Sequence, residues 1–136
     1  MYKTILVPVD ISHTERVTAM LSAARTLLDP SGKIVCLNVL HDVPAPVAMH
    51  LPADIVPQLK SNARETLEKA ADAAGAPVEI HVVTGHPPTA ILEAADTYKA
   101  DLIIVGSHKP GFEDYLIGST ASRVLRHAKC SVLVQR

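Results

Sequence analysis

A chain of 136 residues that is 48% hydrophobic and 20% charged can bury a sizeable core and is too apolar for a disordered segment, so it is expected to be a single domain over 1–136. Its formal net charge of -1 and aromatic content of 3% give neither a basic field nor stacking platforms, which argues against DNA or RNA as a main partner. The longest clean apolar runs, ILVPV and LIIVG, are far too short to cross a bilayer, so no membrane insertion is expected.

The start, MYKTILVPVD, lacks the apolar stretch and small-residue cleavage site of a secretory signal and reads as a strand, KTILVPV, ending at Asp10. A cytoplasmic location follows as the expectation, and with it free thiols at Cys36 and Cys130. Ser12 to Glu15 has capping-box spacing, which predicts a helix. Val17, Met20, Leu21, Ala24 and Leu28 recur at three- and four-residue steps on one face of it, and Asp29-Pro30-Ser31-Gly32 ends it. KIVCLNVL (33–40) is a continuous apolar run suited to a strand buried on both faces.

Residues 41–54 contain three prolines and no periodicity, which predicts a surface loop. Val56, Leu59, Ala63, Leu67, Ala70 and Ala74 mark a long helix closed by Gly75. PVEIHVVTG predicts the third strand. A helix from about Pro88 to Lys99 follows, with Ile91, Ala94, Ala95 and Tyr98 on its apolar side, and then DLIIVG as the fourth strand. The last helix is predicted to start near Gly118 and to bury Ala121, Val124, Leu125 and Ala128 ahead of a fifth strand, SVLVQ.

Five strands alternating with four helices predict an α/β fold, an open doubly wound parallel sheet with helices on both faces. Two strand orders are common for five strands, 2-1-3-4-5 and 3-2-1-4-5, and in both a ligand sits at strand C-terminal ends where the winding reverses. In the second order the reversal lies between strands one and four. Asp10 would then face the segment VGSHKPGFEDYLIGST (105–120).

That segment has the chemistry of an anion cradle. Gly106 allows a ligand close to the backbone, and Gly118-Ser119-Thr120 opens a helix whose free N–H groups and dipole favour negative charge. Lys109 and the hydroxyls add donors, while Asp10 is fit to accept from an amine or a ribose hydroxyl. Asp10 reads equally as a turn residue, His108 as a solvated loop residue, and Ser119 as a helix cap.

Other site types fail on residue identity. Phe112-Glu113 stand where a P-loop needs Lys-Ser/Thr. No GxGxxG follows the first strand, and Ser119 and Ser122 lack the GxSxG elbow. The seven histidines have no HxxxH or HExxH spacing, which argues against zinc, and His127 fits a partner for the last helix's dipole.

ILVPVD at the start, IIVGSH…GS near the end and VLRHAKCSVLVQR at the C-terminus jointly resemble the universal stress protein family over essentially the whole chain. The resemblance implies a Rossmann-like sheet in the order 3-2-1-4-5 and an adenine nucleotide ligand. In nucleotide-binding members the phosphates meet the pattern G-x2-G-x9-G-[ST]. Here Lys109 stands at the second glycine, and the distance from Gly106 to Gly118 is one residue shorter. SHKPGFEDYLIGST is instead similar to the shorter-loop F/G-type bacterial subgroup, roughly SHRPxxxxYLLGSN. By that resemblance Pro8, Val9, Asp10 and Val39 line the adenine and ribose side. Gly106, Ser107, His108, Lys109, Gly118, Ser119 and Thr120 line the phosphate side.

The implied function is that of an ATP-, ADP- or AMP-binding regulatory protein of the stress response, with or without Mg, without catalytic residues. It is expected to be a homodimer through the C-terminal strand, or a higher oligomer. The alternatives are a slow ATPase or phosphotransferase, and an interaction scaffold without nucleotide.

Overall fold

A computed structural model describes residues 1–75, 77–107 and 118–136. The elements run β1 (Tyr2–Pro8), α1 (Thr14–Leu27), β2 (Leu28–His41), α2 (Ala45–Ala48), α3 (Ile55–Ala74), β3 (Val78–Gly85), α4 (Pro87–Thr97), β4 (Leu102–Gly106), α5 (Ser119–His127) and β5 (Ser131–Gln135). The strands form a five-stranded parallel sheet in the order β3-β2-β1-β4-β5, the second of the two arrangements open from the sequence.

Strict alternation along the central strands sends successive side chains to opposite faces. Ile5, Val7, Ile34, Cys36 and Ile104 pack with Val17, Leu21 and Leu67 of α1 and α3. Leu6, Val35, Leu37, Ile103 and Val105 pack with Ile91 of α4 and with Ala121 and Val124 of α5. Both faces are covered, which is why these strands appear in the sequence as unbroken apolar runs. Cys36 belongs to the first face and Cys130 to the second, so the sheet separates the two free thiols. Burial pushes the Cys36 thiol up to about 12.

Several local expectations need correction. The capping box does not form: α1 begins after His13, and no side chain caps it. Ser12 instead donates its backbone N–H and its hydroxyl to Oδ1 of Asp10. A carboxylate two residues back is the stronger acceptor and captures the serine. Leu28 is not on the helix but opens β2, which starts five residues before KIVCLNVL. The register between β1 and β2 jumps from Tyr2–Leu28 to Thr4–Lys33, so Asp29–Gly32 is accommodated as an irregularity. Within it Asp29 Oδ1 accepts from the Ser31 backbone and hydroxyl at 2.9 and 2.7 Å. Any Cβ at Gly32 would lie 2.7 Å from the Lys3 carbonyl oxygen, so only glycine fits.

The 41–54 segment includes the short α2, which has no buried residue. The long third helix ends as predicted, on Gly75 with a left-handed φ of 65°. Leu59 is exposed, however, and burial along α3 begins only at Ala63. At 20 residues α3 spans about 30 Å, more than the ~26 Å of the eight-residue β3 beside it. Leu125 is exposed as well, because Ala121, Val124 and Ala128 already form the narrow stripe that faces the sheet.

Candidate functional site

The site begins with a seam that closes at one end and opens at the other. At the start of β4 the Asp101 carboxylate accepts the backbone N–H groups of Lys3 and Thr4, both at 2.9 Å, and Asp101 N–H donates to the Thr4 carbonyl. From there β1 and β4 are in register at Ile5–Leu102 and Leu6–Ile103. Pairing of β1 with β2 continues to Pro8–Leu37, and that of β4 with β5 to Gly106–Gln135. The two central strands therefore part at their C-terminal ends, at the point where the winding reverses.

Pro8 contributes to this opening through its missing N–H. Alternate residues of a strand direct their N–H groups to opposite neighbours, and Val9 N–H goes to Leu37 of β2 at 2.8 Å. The donor absent at Pro8 is thus the one that would face β4. On the other side, Asn38 Nδ2 donates to the Val9 carbonyl at 2.9 Å and fixes the end of β1 against β2. Asn38 is 4% exposed, and its Oδ1 has no hydrogen-bond partner among the described residues. Val39 follows it in register with Val83 and turns to the α4/α5 face.

Asp10 sits just beyond the strand, exposed at the mouth of the opening. Burial pushes its carboxyl up, but the two hydrogen bonds from Ser12, with His13 and Arg16 nearby, outweigh this and hold it below its ordinary value. It is ionised at neutral pH and acts as a turn residue. Both bonds from Ser12 fall on Oδ1.

Across the opening Ser107 is buried, and its N–H donates to the Gln135 carbonyl at 3.0 Å. The Ser107 carbonyl accepts from Gly118 N–H at 3.2 Å, which brings the start of α5 to the end of β4. Ser122 N–H is the first to bond within the helix, to Gly118 O at 2.9 Å, so the N–H groups of Ser119, Thr120 and Ala121 belong to the open first turn. Among the described residues nothing requires glycine at either key position. Neither Gly106 nor Gly118 has a left-handed φ. A Cβ added to Gly106 would lie 3.8 Å from Met20 Sδ, and one on Gly118 3.7 Å from the Ser107 carbonyl, both ordinary contacts. A cavity of about 110 Å³ adjoins Gly106 on the α1 side, lined also by Arg16, Met20 and Gln135.

Pro8, Val9, Asp10, Gly106, Ser107, Gly118, Ser119 and Thr120 thus converge on one end of the sheet, with Val39 on the neighbouring strand. His108 and Lys109 lie outside the described residues. The donor set of backbone amides and hydroxyls fits an anion. Among the described residues no group of three or more His, Cys, Asp or Glu side chains is placed to hold a metal. Two contributors escaped the sequence reading. Asn38 had a visible signal, as the one amide in the otherwise apolar run from Ile34 to Leu40, whereas Asp101 looked like an ordinary strand boundary.

The sheet order agrees with the comparisons to known proteins. A model of the universal stress protein family matches residues 1–136. The chain belongs to that family. Universal stress protein G of Escherichia coli O157:H7 is 32% identical, with both chains covered completely. Universal stress protein MJ0531 of Methanocaldococcus jannaschii is 29% identical over 98% of this chain and 82% of its own. The solved structure of hypothetical protein MJ0577 superposes with a TM-score of 0.78 at 28% identity, covering 98% of this chain and 95% of that one. A universal stress protein in complex with cAMP superposes with a TM-score of 0.69 at 27% identity over 99% and 97% of the two chains. Among the described residues of this universal stress protein no helix is long and apolar enough to cross a membrane.

Proposed function

We propose that residues 1–136 act as one adenine-nucleotide-binding regulatory domain of a cytoplasmic stress response. Adenine and ribose lie beside Pro8, Val9, Asp10 and Val39. The phosphates of ATP, ADP or AMP lie against Gly106, Ser107, Gly118, Ser119 and Thr120, with His108 and Lys109 completing that side. The observation that carries this reading is the parted β1–β4 seam facing the open first turn of α5, between two glycines that packing among the described residues does not demand. The cAMP complex of a relative 27% identical to this chain supports an adenine ligand.

The same residues favour holding a nucleotide over hydrolysing it. Amides and hydroxyls surround the phosphates, and the one described carboxylate at the mouth, Asp10, is engaged by Ser12. Turnover is expected far below the roughly 1 to 100 per second of kinases. In this reading β5, an edge strand bearing Val132, Leu133 and Val134, pairs with its copy in a homodimer. Val134→Pro or Val132→Pro should yield monomers by light scattering, and two soluble dimers would place the interface elsewhere.

Denaturing freshly purified protein and identifying what it releases by mass spectrometry tests the ligand. Adenine nucleotide in near-stoichiometric amount is the expected result. Absence of release together with absence of calorimetric binding of ATP and AMP would overturn the reading.

A further inference from the structure

A guanidinium stands at the ligand end of the sheet that the nucleotide cradle as described leaves unused. Arg123 lies one helical turn after Ser119 on α5, and both residues are exposed, so they share a face of the helix. Helical side chains lean toward the N-terminus, which sends the Arg123 head back over the turn that holds Ser119. Its position is recorded by a contact: Arg123 Nη1 lies 3.3 Å from Nε2 of His86. His86 caps α4 and directly follows Gly85, the last residue of β3. The guanidinium therefore lies at the level of the strands' C-terminal ends, on the α4/α5 side of the opening and not out along the helix.

The pairing also sets which protons are committed. A guanidinium has only donors, so in this contact His86 Nε2 is the acceptor. One of five N–H groups is used on His86, and the others have no partner among the described residues, in the planar fork that suits phosphate oxygens. The first-turn amides of α5 reach only the phosphate seated on the helix end. The Arg123 guanidinium, folded back over that turn on the α4/α5 side, reaches phosphates that follow it.

Resting on the nucleotide reading above, we infer that Arg123, oriented by His86, contacts the terminal phosphates and makes the site prefer nucleoside triphosphates over monophosphates. Arg123 is the specificity-determining residue and His86 the positioning residue. No step of bond making or breaking is involved.

The experiment is calorimetric titration of ATP and AMP, each alone, into the full chain and its variants, with folding checked by thermal unfolding. Both side chains are exposed, so the variants should fold. The parent should bind ATP more tightly than AMP. Arg123→Ala should weaken ATP about tenfold and leave AMP within about twofold, collapsing the preference. His86→Leu should lose most of the same preference. His86→Gln, whose carbonyl oxygen also accepts from Arg123, should restore it, which a merely structural role for His86 would not produce. An Arg123→Ala protein that keeps the parental ratio of ATP to AMP affinity, whether both fall together or neither changes, overturns the inference while leaving the nucleotide site intact. A parent that binds neither nucleotide overturns the nucleotide reading itself, and this inference with it.

Discussion

The two ends of the β1–β4 seam use the same pair of strands for opposite purposes. At the N-terminal end a single carboxylate, Asp101, closes the seam by gathering two backbone N–H groups of β1. At the C-terminal end Pro8 withholds a donor from β4, Gly106 presents no side chain, and the strands separate. The backbone is paired where the seam is clamped and left unpaired where the proposed ligand would sit. An unpaired backbone in a cleft is a cost for the fold and an opportunity for a ligand that supplies the missing partners.

The comparison predicts that changes at one end should leave the other untouched. The largest effect is expected from Ser119→Glu. A carboxylate in the first turn of α5 suits the helix dipole, so thermal stability should stay at the parental level or rise slightly. The same charge facing phosphate should weaken ATP by at least about a hundredfold. A folded Ser119→Glu protein with parental ATP affinity by calorimetry would remove phosphates from this end of the molecule.

Asp101→Ala should act in the reverse sense. Loss of its charge-assisted bonds to Lys3 and Thr4 should cost about 1 to 3 kcal/mol in urea unfolding, with ATP affinity within about twofold of the parent. A large loss of affinity would mean that the two ends are mechanically coupled. Gly118→Ala sharpens the contrast further. Its added Cβ makes only an ordinary contact among the described residues, so stability should change by less than about 0.5 kcal/mol, while nucleotide affinity should fall about three- to tenfold.

The smallest expected effect concerns Asp10. Its folded pKa lies below the ordinary 3.8, so the stabilisation from its turn is fully present above that value and is lost as the pH falls through the folded value. The stability difference between the parent and Asp10→Ala should therefore be constant around neutral pH and shrink below 3.8. A difference that grows on acidification would contradict the assignment of Asp10 as an ionised acceptor.

Much of this molecule was legible from local pattern because its pattern is local in origin. Unbroken apolar runs such as ILVPV and LIIVG follow from strands covered on both faces, and Gly75 at a left-handed helix end follows from glycine's lack of a Cβ. Where local signals competed, periodicity alone misjudged the result. Ser12 could have accepted a first-turn N–H as a cap but instead donates to Asp10, and Leu28 fitted the helical stripe yet joined a strand.

The amino-acid sequence by itself determined the α/β alternation, the buried strands and the glycine and hydroxyl residues that gather at one end of the sheet. Tertiary structure alone decided which backbone donor Pro8 omits. It also decided that Asn38 holds the end of β1 and that His86 meets Arg123 across 37 positions of chain. The reason is physical. A residue's preference for helix, strand or turn comes from its neighbours a few positions away, whereas a seam that opens, or a cation placed beside a cradle, exists only once distant segments have been packed against one another.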